Sequence, residues 1–481
     1  MKPKIAFISL IPDTGHIVPL LQLAAVFAES RFEVKCFFPE ETIPLAKEFG
    51  IPIQSFGTGA ASAQKAVLHK LSRRSVFYNA FSFYKDLKLH YFKPLTLAVA
   101  ANLERIKHLL EEYGPALIIA DIHLLQEYYL RLAGYLGKQL VFHASNGNWR
   151  YKDYHDHCDK DIRFEIRGKL YRYNYDRFIY NYGFTSLAPW LQLAVVWMGE
   201  FLNWACYCLT SWRLKAVNDY CNAILNRVFP GAAVAQMEPL IISTGLPFIE
   251  REITKEHFQS GMDLELFPPV RDHRKSEIAP SLREWLDGAG ERPVVYICLG
   301  TMVQVNGRLI RKICRGLMGL DIFILWAAPA AQIRLIRKIS RLPNLRLEEH
   351  VPQPRILALE KVRCFITHAG AGGVQDSLMN GKPVLCIPFM FDQPFNSSVA
   401  EMLGVGIRIW KNRVTAKLIH DSVRKLLMDP SYWNAAQETM KKLQGMDSGK
   451  EVIRFLFDSI RKIKLKKSSK GKPEINIEPN V

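Results

Sequence analysis

Four short stretches carry most of the information in this chain: HVPQPRIL at 350–357, RCFITHAGAGGVQDSLMN at 363–380, GKPVLCIP at 381–388 and DQPFN at 392–396. The apolar run 363–367 reads as a short buried strand that stops at His368 and a glycine-rich turn. A helix-like stretch follows over 374–380. A strand, a glycine loop and a helix N-terminus in succession form a site for a phosphate. Glycines let the backbone approach closely, and their amides can point at the anion.

Working back toward the N-terminus, the same alternation continues. The run 294–299 predicts a strand ending at Gly300-Thr301, with a helix over about 309–318. Further strands are expected at 323–326, 345–347 and 383–388. The first half has its own set. Strands are expected at 4–10, 32–38, 51–55, 117–120 and 140–142, with helices over 17–29 and 41–49. Strands and helices alternating at this spacing imply parallel sheets covered on both faces. The expected division is an N-terminal domain at 1–245, a polar linker at 246–290, a C-terminal domain at 291–460 and a basic, irregular tail at 461–481. Two such halves would face each other across a cleft at their strand C-termini, where open α/β sheets bind ligands.

Bulk properties narrow the function without choosing it. The chain has 481 residues, which suits two domains, and 49% hydrophobic residues, enough for large cores. Charged residues at 23% do not fit a disordered chain. The net charge of +18 favours anionic partners. It reads as spread along the chain, with no nucleic-acid motif, so nucleic acid is not an expected partner. Nine scattered cysteines with no Cys-x-x-Cys pair predict reduced thiols in a cytoplasmic protein. No secretory leader is expected at the N-terminus, where Asp13 interrupts the apolar run.

These residues resemble the family-1 glycosyltransferases, nucleotide-sugar enzymes of the GT-B fold with two facing Rossmann-like domains. The resemblance covers nearly the whole chain and is strongest over 294–406 and at GHIVP, 15–19. It implies that His16 is the base that deprotonates an acceptor hydroxyl and that Asp121 orients it. A helix N-terminus disfavours imidazolium, so His16 is expected to be neutral near pH 7.

The donor side follows from the same resemblance. Thr301 would meet a diphosphate oxygen. Val351 and Gln353, flanking Pro352, would read a uracil edge through the backbone, with His350 stacking where the family has tryptophan. Trp326 is either a position near the base or plain core. His368 would donate to the diphosphate, lined by Gly370, Gly372 and Gly373. Asp376 would accept from the ribose hydroxyls, where the family usually has glutamate. Asp392 and Gln393 would bind the sugar, with glucose as the first expectation. The reaction so implied inverts the anomeric carbon and requires no metal and no cofactor beyond the UDP-sugar co-substrate.

The acceptor is less legible. Trp190, Ala194, Trp197, Phe201, Trp204 and Cys208 form one helical stripe in the apolar stretch 187–210. Core, a cleft for a small lipophilic acceptor and a membrane-surface helix all fit it. A full span would bury Glu200 in hydrocarbon. The basic tail would favour peripheral contact with anionic lipid. HDHCD at 155–159 is too tightly spaced for most structural zinc sites and reads as an exposed loop. A catalytically silent nucleotide-sugar or lipid-binding protein, and another GT-B enzyme such as a nucleotide-sugar epimerase, are the competing readings.

Overall fold

The computed structural model describes residues 2–59, 61, 66, 93–122, 125–144, 162–166, 169–173, 217, 219–232, 239–244, 264–267, 269, 277–300, 303–389, 392–446 and 448–468. The first domain is built on β1 (Lys4–Ile8), β2 (Glu33–Phe38), β3 (Ile53–Ser55), β4 (Leu117–Asp121) and β5 (Gln139–Ala144). A separate antiparallel hairpin joins β6 (Ile162–Ile166) to β7 (Lys169–Tyr173). Strands β8 (Leu240–Thr244) and β9 (Leu264–Phe267) then complete a seven-stranded sheet of order β3-β2-β1-β4-β5-β8-β9. Every neighbouring pair in it is parallel.

The second domain holds β10 (Val294–Cys298), β11 (Phe323–Ala327), β12 (Leu345–Glu348), β13 (Val362–Thr367), β14 (Val384–Cys386) and β15 (Gly406–Arg408). They form a parallel six-stranded sheet of order β12-β11-β10-β13-β14-β15. In each sheet the order reverses once, between β1 and β4 and between β10 and β13. Crevices for ligands open at such switch points, beyond the strand C-termini.

Period-two side-chain alternation explains why both sheets are buried on two faces. On β1, Ile5 and Phe7 join one core with the first helix, Thr14–Glu29, while Ala6 and Ile8 join another with the helix Lys93–Tyr113. On β4, Leu117 and Ile119 face the first side and Ile118 and Ala120 the second. Phe7 meets Phe27 edge to face, with ring centroids 5.6 Å apart. In the second domain Val294 and Tyr296 point one way and Val295 and Ile297 the other. Trp326 is fully buried on β11, which settles its two readings in favour of core.

Two expectations change. The polar stretch expected as a linker contains β9, the edge strand of the first sheet, and the helix Pro280–Asp287, whose Leu282 and Leu286 belong to the second domain's core. A strand of four residues, LELF, is too short to register as a period against polar neighbours. The segment expected as an irregular tail from 461 begins inside a helix, Ser448–Ser468. That helix returns to the first domain: Phe457 stacks on Phe32 at 5.0 Å and Phe455 lies 5.6 Å from Phe267.

Six cysteines lie among the described residues; all are free, and all but Cys298 are buried. Among the described residues no helix is long and apolar enough to cross a membrane. The apolar stretch 187–210, the 155–159 cluster and the end of the chain beyond 468 lie outside the described residues.

Candidate active site

Four loops meet at the two switch points. The loop after β1 is held by Ser9 Oγ donating to the Ile11 carbonyl at 3.1 Å and by the Leu10 amide donating to the Tyr129 hydroxyl at 2.9 Å. Asp13 caps the first helix by accepting from the Gly15 amide at 2.9 Å. His16 therefore sits in the first turn of that helix, and its Nδ1 lies 3.1 Å from Asp121 Oδ2, at the end of β4. The expected pair is thus assembled from segments 105 residues apart, with Asp121 only 2% exposed. Tyr129 lies against the same carboxylate; burial and the Asp121 charge hold its phenol well above the usual range.

The charge state of His16 corrects the sequence reading. Burial alone lowers its pKa, but the charge and hydrogen bond of Asp121, and the charges of Asp13 and Asp392, raise it in net to about 9. A helix N-terminus acts as a fraction of a charge. Three carboxylates outweigh it, so the ring is imidazolium at pH 7 in the free protein. Asp392 belongs to the second domain, so charge from both halves of the chain bears on His16.

At the second switch point the ring of His368, just beyond β13, is packed between two glycines. A Cβ on Gly300 would stand 2.7 Å from its Cε1 and Nε2, and one on Gly370 would stand 2.7 Å from Nε2. Gly300 also has φ +79, the left-handed region. Ala369 shares that conformation at φ +66 without being glycine, and its amide donates to Thr367 Oγ1 at 3.2 Å. Burial pushes the His368 pKa down to about 4, so this ring is neutral at pH 7. Its Nδ1 is buried and finds no hydrogen-bond partner among the described residues. A polar atom in that state calls for a ligand or water to satisfy it.

The remaining donor-side residues fall in two groups. Gln353 Nε2 donates to Asp376 Oδ2 at 2.8 Å, and the Tyr296 hydroxyl lies 3.3 Å from Gln353 Oε1. Val351 is buried beside them. Asp392 Oδ2 accepts from Asn396 Nδ2 at 2.7 Å and from the Ala371 amide at 3.3 Å, so it stands at the N-terminus of the helix Ala371–Met379. Gln393 is 6% exposed, and its Oε1 accepts from the Phe389 amide at 2.8 Å. Gly372 borders open space, where a Cβ would touch nothing within 4 Å, whereas one on Gly373 would meet Thr367 Oγ1 at 3.2 Å. Thr301 lies outside the described residues.

Two placements were not foreseen. His350 is mostly exposed and lies 3.7 Å from Glu48 of the first domain, an ion-pair distance rather than a stacked platform. A second link crosses between domains: Gln375 Nε2 donates to the Thr244 carbonyl at 3.3 Å, and Thr244 Oγ1 is 2.8 Å from His143 Nε2. His143 is paired in register with Asp121 on the neighbouring strand. Its position at a strand end was the one available signal for it. Gln375 had none, being one polar residue on a helix.

Known proteins resemble this chain in sequence over its second domain and in fold over both. Residues 269–444 match the family model described as UDP-glucoronosyl and UDP-glucosyl transferase. UDP-glycosyltransferase 91D2 of Stevia rebaudiana is 33% identical over 173 residues, covering 34% of this chain and 37% of that protein. UDP-glucuronosyltransferase 2B10 of Homo sapiens is 29% identical over 152 residues, covering 31% of this chain and 28% of its own length. The matched region thus spans about a third of the curated relatives. Among solved structures, Spinosyn Forosaminyltransferase SpnP aligns over 96% of this chain and 100% of its own at 16% identity, with a TM-score of 0.63. That likeness extends the shared fold, the two-domain GT-B arrangement, over both halves.

Proposed function

We propose that this chain, a family-1 UDP-glycosyltransferase by the match of its second domain, transfers a sugar from a UDP-sugar to a hydroxyl of a small lipophilic acceptor with inversion at the anomeric carbon. Glucose is the first sugar to test. The observation that carries this reading is the 3.1 Å His16–Asp121 pair at one switch point, opposite the glycine loop and His368 at the other, whose buried Nδ1 has no hydrogen-bond partner among the described residues. A diphosphate there would meet the amides at a helix N-terminus and the His368 ring. In this scheme the Asp376–Gln353 pair takes the nucleoside, and Asp392 the sugar. Asp121 holds Nδ1 of His16, which leaves Nε2 as the atom to take the acceptor's proton.

The attacking oxygen approaches the anomeric carbon opposite the departing UDP. One C–O bond forms as another breaks, and His16 holds the proton. No metal is required in this scheme. The test is a labelled UDP-glucose assay against a panel of apolar alcohols and phenols in chelator. Inverted glucoside formed without added metal is expected. Release of an epimerised nucleotide sugar without acceptor, or activity recovered only with magnesium, would overturn the reading.

The charge on His16 sets the pH dependence. A base works deprotonated, and this one loses its proton only near pH 9. We expect kcat/KM to rise about tenfold per pH unit from pH 6 and to level off near 9. Asp121→Asn removes the main influence that raises the pKa, so the rising limb should move to lower pH. A limb at the same pH in that variant would detach Asp121 from the base.

A further inference from the structure

Half of the net positive charge of this chain is gathered in one place. It collects on one layer of the second domain, made by the helices Gly307–Leu317, Ala330–Ile339 and Ala416–Met428. Together these carry ten lysines and arginines against a single acid, Asp421, a net of +9, or half of the chain's +18. On the first helix Arg308, Arg311, Lys312 and Arg315 recur at helical spacing and all are exposed, which makes one stripe. On the second, Arg334, Arg337 and Lys338 repeat the pattern and are also exposed. None of these seven cations is in a salt bridge among the described residues.

The layer is rigid. The first and third helices pack so closely at Gly316 that a Cβ there would lie 2.6 Å from the Ala416 carbonyl and Ile419 Cβ. His420 Nδ1 adds a contact of 3.1 Å to the Gly316 carbonyl. The layer also exposes apolar side chains. Of the four large hydrophobic residues most open to solvent among the described residues, three lie on or directly after these helices: Met318, Leu418 and Met428, the last 75% exposed.

We propose that this layer is a docking face for an anionic lipid surface. Clustered cations with a single carboxylate among them, Asp421 paired to Lys417, are attracted to negative headgroups. Protruding methionine and leucine side chains gain by entering the headgroup boundary, as they would not on a phosphodiester backbone. None of the seven exposed cations is among the residues placed in the candidate site, so reversing their charge leaves that site's own side chains in place.

The experiment uses the full chain and sucrose-loaded vesicles, either pure phosphatidylcholine or with a third phosphatidylserine. Binding to the anionic vesicles alone, falling steeply with salt, is the expected result. Each cation near such a surface is worth about fivefold in affinity, so R311E/K312E/R334E/R337E should lose more than a hundredfold. Its UDP affinity and melting temperature serve as the controls for folding. A second variant, Met318→Ser with Met428→Ser, keeps every charge and should retain less binding in high salt. If the charge-reversed protein binds anionic vesicles like wild type, the contact lies elsewhere on the chain and the proposal fails. It also fails if wild type prefers a nucleic-acid duplex to the vesicles at equal salt.

Discussion

Replacing His16 by alanine is expected to lower turnover by about 10²–10⁴-fold while leaving UDP affinity unchanged. The partners proposed for the nucleotide lie at the other switch point, beyond the ends of β10 and β13. The residual rate should also lose the rising limb that levels off near pH 9. Alanine leaves Asp121 buried without its cation, a change that can cost several kcal/mol of stability in its own right. His16→Gln, which can keep a hydrogen bond to Asp121 but cannot act as a base, separates the two effects. Chemistry lost in both variants, with melting preserved in the glutamine one, assigns the loss to the proton transfer. Turnover unchanged in either variant would remove the base from the mechanism.

The second large effect is expected at Gly300. Alanine there forces a left-handed backbone that costs about 1–2 kcal/mol, and its Cβ would enter the space of the His368 ring at 2.7 Å. The ring must rotate away from the glycine loop. UDP affinity measured by calorimetry should fall at least about tenfold, with an equal or larger loss for His368→Ala. Combining the two should add little, since both remove the same contact. Two losses that simply add would mean that Gly300 acts through something other than His368.

Much of this site was legible because its elements announce themselves locally. An apolar run such as 294–299 ending in glycine, or 363–367 ending in His368, needs no partner to be read as a strand that stops at a ligand. What escaped was set by distant groups. The protonation of His16 depends on Asp392 of the second domain as well as on the foreseen Asp121, and Asp392 is not visible from the first helix. Glu48 beside His350 and Thr244 beside Gln375 are likewise contacts between domains. Strands β9 and β15 have four and three residues, below the length at which period can separate strand from loop. The charged layer was hidden for another reason: its residues recur in three helices separated in sequence, so only packing brings them together.

The last helix has a bearing on biosynthesis. Val452, Leu456 and Ile460 are buried in the same core as the first helix and β1. A ribosome releases the N-terminal domain's strands long before it reaches these residues. At about 5–20 residues per second, the roughly 200 residues between β8 and this helix take some 10–40 s to emerge. Until then the first helix keeps an apolar groove open, a feature a chaperone could hold. Only the emergence of this helix closes it.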